Sequence, residues 1–207
     1  MKLELLTTAN ERIRPAFESS AKQKFTSKSG TSKLVTTGES ITCSADTNAG
    51  EVTGATAVGK VVITFTGCKA KKGEEICTVK SASAKEGEVV TKTLKGELGE
   101  VAESEAADEV GLVLEPETTK KIATLASAKC SAEASLEGSV AGEVTPLATA
   151  AKTDKLVFAV TSAKQNIKSI TVKPGTAAKT VKLELAGLEA TDESTDEIGF
   201  EKEAEVT

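Results

Sequence analysis

The sequence contains no histidine, tryptophan or tyrosine, and only four prolines and one methionine in 207 residues. Without histidine, Ser-His-Asp triads and Cys-His pairs are impossible, so the commonest arrangements for nucleophilic catalysis are excluded. Five phenylalanines are the only aromatic residues, which leaves few side chains for the exposed platforms on which sugars stack. We therefore expect a protein that is not an enzyme and that has no cofactor and no metal centre.

Long apolar runs and basic clusters interleaved with aromatic residues are also missing. No stretch approaches the ~20 apolar residues of a transmembrane helix, and Met1 to Phe25 lacks the continuous apolar segment of a secretory signal. The net charge is −5, from 26 basic and 31 acidic residues, and the two kinds are interspersed along the chain. Because no basic cluster is interleaved with aromatic residues, we expect no nucleic-acid partner.

What the chain does have is the alternating pattern of β-strands. The densest β-branched stretch runs from Lys60 to Cys68, and its Val61, Ile63 and Phe65 fall on one face of a period-two strand. Similar alternation recurs along the chain, and threonine and valine favour strands over helices. The sequence predicts an all-β fold, an antiparallel β-sandwich or barrel-like domain of about ten strands over residues 26–207, preceded by an irregular N-terminal arm over residues 1–25.

Turns separate the predicted strands, and an acidic tail follows them. Asp46 to Gly50 is typical of a turn, since Asp and Asn accept local backbone hydrogen bonds and Gly tolerates positive φ. It begins like a calcium loop, but position twelve of that loop is Ala57 where a glutamate is expected. A turn at Lys173 to Thr176 predicts a hairpin between the strands on either side. The tail from Asp192 to Glu205 is expected to expose its acidic groups, with Ile198 and Phe200 anchoring a last strand.

Four cysteines, Cys43, Cys68, Cys77 and Cys130, are separated by 24, 8 and 52 residues. This spacing does not match the close pairs of a zinc site, which leaves two disulfides or buried thiols as the main alternatives. Of the three possible pairings we expect Cys68–Cys77, which closes a short loop after a strand, and Cys43–Cys130. Each bridge would stabilise a thin core by roughly 2–4 kcal/mol.

Several blocks of the sequence resemble a group of actinobacterial proteins that are usually predicted to be secreted and for which no activity is established. The resemblance covers about residues 25–205 and depends on the order of the blocks. The blocks are Ile41-Thr42-Cys43, Gly50 to Gly54, Val61 to Cys68, Leu94 to Gly99, Val110 to Leu112 with Pro116-Glu117, and Gly138 to Pro146. It implies export and disulfides, although the N-terminus differs from the group in showing no signal peptide.

Two functions are consistent with these features. The first is a non-enzymatic structural or surface protein, extracellular or at the cell surface, that self-assembles by adding a strand from its N-terminal arm or from an open sheet edge. The second is a binding module for a cell-wall glycan or a protein partner, which predicts a well-formed groove or an exposed apolar patch. The sequence identifies no residue that would carry catalysis.

Overall fold

In a computed structural model of the chain, the structure describes residues 22–101, 109–127, 132–147, 151–172, 176–204 and 206. These ranges contain 21 strands and no α-helix. The prediction of an all-β fold is therefore confirmed. Within the same ranges, no helix is long and apolar enough to cross a membrane.

The strands are short, apart from four of eight to ten residues and a last strand of seventeen. In chain order they are β1 (Gln23–Ser29), β2 (Ser32–Val35), β3 (Glu39–Cys43), β4 (Ala45–Gly54), β5 (Ala57–Thr66), β6 (Lys69–Lys72), β7 (Glu75–Thr78), β8 (Lys80–Ser81), β9 (Val89–Val90), β10 (Leu94–Val101), β11 (Val110–Pro116), β12 (Lys121–Ser127), β13 (Ala132–Gly138), β14 (Val140–Thr145), β15 (Ala151–Phe158), β16 (Val160–Thr161), β17 (Lys164–Gln165), β18 (Ser169–Thr171), β19 (Lys179–Thr180), β20 (Leu183–Leu185) and β21 (Leu188–Ala204).

Eight of these strands close into an antiparallel barrel. Its order is β1–β4–β5–β10–β11–β14–β15–β21, and β21 pairs back onto β1. Closure gives every barrel strand two hydrogen-bonded neighbours, so the barrel itself presents no open edge. An eight-stranded barrel is just wide enough for side chains to fill its interior or for one small ligand.

Most of the remaining strands form a second set that shares β21 with the barrel. Residues 188–193 of β21 pair with β20 and β2, whereas residues 194–204 pair with β1 and β15. The second set has the order β7–β6–β3–β2–β21–β20–β13–β12–β8. Since β3 leads into β4 and β5 into β6 through one or two residues, this set extends from one end of the barrel.

The core is formed by apolar side chains that occupy alternate positions along each strand. Phe25 lies opposite Gly50 on one neighbouring strand and opposite Phe200 on the other, and the two phenylalanine rings are 6.3 Å apart at an angle of 59°. A Cβ atom added to Gly50 would lie 2.5 Å from Cζ of Phe25. Glycine is therefore needed at position 50, because the Phe25 ring occupies the space of a side chain.

The structure corrects the predicted cysteine pairing. Cys43 is bonded to Cys68, so Cys43 does not pair with Cys130 and Cys68 does not pair with Cys77. The two bonded residues end β3 and precede β6, and these strands are direct neighbours, with Thr42 opposite Lys69. The prediction failed because it assumed that Cys68 bonds to the nearest cysteine along the chain. Instead, the pairing of β3 with β6 brings Cys43 next to Cys68. Cys77 is also disulfide-bonded, and Cys130 lies outside the described residues.

Three other predictions change. Asp46 to Gly50 is not a turn but part of β4, because these residues pair with β1 on one side and β5 on the other. Gln23 to Phe25, which were predicted to belong to the N-terminal arm over residues 1–25, lie in β1. The predicted hairpin around residues 173–176 forms only between β18 and β19, while β20 pairs instead with β13 and β21.

Replacing both Cys43 and Cys68 with alanine should lower the free energy of unfolding by about 3 kcal/mol, because the bridge closes a loop of about 25 residues in the unfolded chain. For a domain of this size, this corresponds to a melting temperature lower by roughly 6–12 °C. Differential scanning calorimetry of the variant and of the wild type would measure the change. Non-reducing peptide mapping should recover Cys43 linked to Cys68, and a fragment linking Cys43 to Cys130 would contradict the assignment.

Candidate functional sites

A groove of about 540 Å³ lies on the outside of the barrel, between the β16–β17 hairpin and strands β10, β14 and β15. We call it the hairpin groove. Val101, Val157 and the buried Ile167 supply apolar contacts. Its polar lining comes from Glu109, Glu143, Thr161, Ser162, Lys164, Gln165, Asn166, Lys168 and Ser169. The groove therefore combines a small apolar floor with hydrogen-bonding groups of every kind.

The side chain of Gln165 links the β16–β17 hairpin to β21. Gln165 donates from Nε2 to the carbonyl oxygen of Ala159 at 3.1 Å, and its Oε1 accepts from the backbone N–H of Asp192 at 2.9 Å. The turn residues Ser162 and Ala163 both have positive φ, 52° and 60°, as in the tight turns that join two-residue hairpins. Such turns usually contain Asn or Gly, so the sequence carries no signal for this hairpin and its groove was not predicted.

Charges of opposite sign face the hairpin groove. Burial, together with the negative charge of Glu109, raises the pKa of the Glu143 carboxyl. Lys164 and Lys168 are exposed on the hairpin and on the segment that follows it. The groove can thus accept hydrogen bonds through carboxylates and donate them through ammonium and amide groups.

A second candidate site lies inside the molecule, where the barrel meets the second set of strands. A cavity of about 80 Å³ is lined mainly by apolar side chains, but one wall carries Asp46, Asp192, Ser194 and Asp196. We call Asp46, Asp192 and Asp196 the interior carboxyl cluster. Asp46 and Asp196 are only 3% and 5% exposed. No lysine or arginine of the described residues lines this cavity.

Neighbouring strands fix the positions of these carboxyl groups. Ser29 of β1 stands between Asp46 of β4 and Asp196 of β21 in the cross-strand register. Its hydroxyl donates to Oδ2 of Asp46, and the Ser27 hydroxyl donates to Oδ1 of Asp196 at 3.4 Å. The carboxyl groups of Asp46 and Asp196 are themselves within hydrogen-bonding reach of each other.

Burial without a cationic partner keeps protons on these groups. Burial and the nearby charge of Asp46 raise the pKa of Asp196 to about 8 and that of Asp192 to about 7. Two carboxyl groups in contact cannot both be charged at low cost, so Asp196 carries a proton at neutral pH. Oδ1 of Asp46 has no hydrogen-bond partner.

Asp154 is another buried carboxyl group without a cationic partner, and it lies inside the barrel. It is 2% exposed, lines a smaller cavity of about 30 Å³, and both of its carboxyl oxygens lack a hydrogen-bond partner. Burial raises its pKa to about 6. A cavity of this volume has room for about one water molecule.

These positions differ from the sequence prediction. Asp192 and Asp196 were expected on a solvated tail, and Asp46 in a surface turn, whereas all three line the interior cavity. Ile198 and Phe200 are buried in the last strand as predicted. Among the residues that the structure describes, no group of three or more acidic or cysteine side chains is placed to hold a metal ion. Comparison of the chain with protein-family models, curated proteins and solved structures finds no match.

The raised pKa values predict that the protein is more stable in mild acid than at neutral pH. The groups concerned are Asp154, Asp192 and Asp196, whose pKa values are raised to about 6, 7 and 8. Between about pH 4, where unfolded aspartates titrate, and about pH 8, the folded state therefore binds more protons than the unfolded state. The free energy of unfolding should therefore fall as the pH rises through this window, by up to about 1.4 kcal/mol per pH unit for each extra proton.

Chemical denaturation at a series of pH values would measure this slope. Asp196→Asn and Asp154→Asn imitate the protonated acid and should each flatten the slope. Glu197→Gln is the matched control, since Glu197 is exposed on the opposite face of β21. An equal effect of the control, or stability that rises with pH, would contradict the assignment.

Proposed function

We propose that the chain is a non-enzymatic binding module that holds a polar polymer, such as a cell-wall glycan, in the hairpin groove. The observation that carries the proposal is the groove itself, whose volume of about 540 Å³ falls within the range of ~300–1,000 Å³ typical of ligand sites. Its position outside the closed barrel leaves it open to an extended chain. The disulfide between Cys43 and Cys68 supports an extracellular location, because such bonds persist in oxidising compartments.

The chemistry of the lining favours sugar hydroxyls over an apolar ligand. The Lys168 ammonium and the Asn166 amide, both exposed, can donate to hydroxyl oxygens, and the Glu143 carboxylate can accept from a hydroxyl hydrogen. Among the residues that the structure describes, no aromatic side chain lines the groove, so we expect no contribution from stacking. We therefore expect weak binding that depends on several hydrogen bonds together.

Titration with soluble N-acetylglucosamine oligomers, followed by calorimetry and by NMR, would test the proposal. Asn166→Ala and Lys168→Ala should each weaken binding. For Lys168 the loss of a charge-assisted hydrogen bond, about 1.5–3 kcal/mol, corresponds to roughly ten- to a hundredfold in affinity. Glu143→Gln should weaken binding at neutral pH, because the amide replaces one acceptor oxygen with a donor.

Lys152→Ala is the control, since Lys152 is exposed on β15 but does not line the groove. It should leave the affinity unchanged. If neither this probe nor other cell-wall polysaccharides bind, or if the groove variants bind as well as the control, the groove is not a glycan site.

A self-associating structural protein at the cell surface is a second candidate, favoured by one strand. In the described part of the chain, β7 forms a ladder with β6 alone. Its Ile76 is 64% exposed. A strand with one unpaired side and an exposed apolar residue can pair with another copy. The closed barrel itself has no open edge, and among the described residues Ile76 is the most exposed large apolar side chain, so the β6–β7 hairpin is the edge that favours association.

Light scattering of the purified protein over a range of concentrations would test this second candidate. If β7 joins subunits, Ile76→Lys should convert oligomers into monomers, because a buried lysine at the new contact would lose its hydration. Leu188→Lys, at the other large exposed apolar residue, 51% exposed, should leave the oligomers intact. A wild type that stays monomeric at high concentration would rule the candidate out.

A further inference from the structure

The interior cavity is a separate feature that the proposed glycan function does not use. Hydrophobic side chains form most of its wall, among them Ile63, Phe65 and Val89. The polar part of the wall is acidic and is not neutralised by any basic side chain of the described residues. A purely structural core would fill such a space with apolar groups, because an unpaired buried carboxylate is costly.

The geometry points to a binding site for a small protonated amine inside this cavity, with Asp46 and Asp196 holding its ammonium group and the apolar wall holding its alkyl group. An ammonium carries three N–H donors and no acceptor. Oδ1 of Asp46 can accept one of them, since it is buried and has no hydrogen-bond partner. The positive charge of the ligand would thus replace the proton that Asp196 carries.

The volume limits the size of the ligand. A cavity of ~150 Å³ accommodates benzene, which has six heavy atoms. By the same proportion, the present cavity of about 80 Å³ accommodates about three heavy atoms, the size of ethylammonium. A metal ion fits less well, because the described acidic side chains do not form a metal-binding group and the rest of the wall offers few oxygen ligands.

Asp154 shows the same shortage of partners independently. It belongs to another strand, β15, and faces the smaller barrel cavity with both oxygens unpartnered. Carboxyl oxygens therefore lack hydrogen-bond partners in two cavities, and of these two only the cavity of the interior carboxyl cluster is large enough for more than water. This difference assigns the amine to the larger cavity.

Binding of ethylammonium chloride to the full chain, measured by calorimetry and by the shift in melting temperature, tests the inference. Because the amine displaces a proton from Asp196, affinity should rise at least about tenfold between pH 6 and pH 8, and the measured heat should depend on the ionisation enthalpy of the buffer. Ethanol, which has the same shape without the charge, should not bind. Asp196→Asn should reduce the affinity at least about tenfold.

Glu197→Gln serves as the matched control and should bind ethylammonium as the wild type does. If Asp196→Asn does not fold, the proton release and the ethanol comparison on the wild type decide the question. Equal stabilisation by sodium chloride, absence of saturable binding, or binding without proton release would each overturn the inference. Asn166→Ala in the hairpin groove should leave amine binding unchanged, so the failure of one site is distinguishable from the failure of the other.

Discussion

Strand β21 belongs both to the barrel and to the second set of strands, and its register places residues of both in the interior. It pairs with β1 and β15 to close the barrel and with β2 and β20 to begin the second set of strands. Alternate residues of a strand must face the same way. Ile198 and Phe200 are needed in the core, so Asp196 and Ser194 are carried into the interior on the same face. A shift of one residue would expose both apolar anchors.

The interior acids therefore follow from the register and oppose stability, and other features offset their cost. Protons on Asp192 and Asp196 remove charge that would otherwise be buried. The disulfide joins β3 to the start of β6 at the junction between the barrel and the second set. Gln165 then connects this interior to the outer surface, since the side chain that anchors the groove hairpin accepts from the backbone of Asp192. The two candidate sites thus meet at Asp192, whose side chain lines the cavity and whose backbone N–H binds the residue that anchors the groove hairpin.

Local patterns predicted the parts of the fold in which one face of a strand is apolar. Val61, Ile63 and Phe65 face inward along β5, and Ile198 and Phe200 along β21, as their alternation indicated. The prediction was wrong where a polar residue lies on an inward face. The segment from Asp46 to Gly50 has the composition of a turn, and only its pairing with β1 and β5 places it in a strand. The hairpin groove could not be predicted either, because its turn, Ser162-Ala163, lacks the usual residues.

Residue types and their alternation along the chain were enough to predict the all-β class, the antiparallel barrel-like or sandwich character and the position of the last strand, and they exclude a histidine-based catalytic site. These properties depend on residue type and on a period of two, which can be read along the chain. The tertiary structure decided which strands are neighbours, and with them the Cys43–Cys68 bond, the burial of the aspartates and the outline of the groove. Each of these depends on contacts between residues far apart in the chain, and neighbouring side chains carry no information about such pairings.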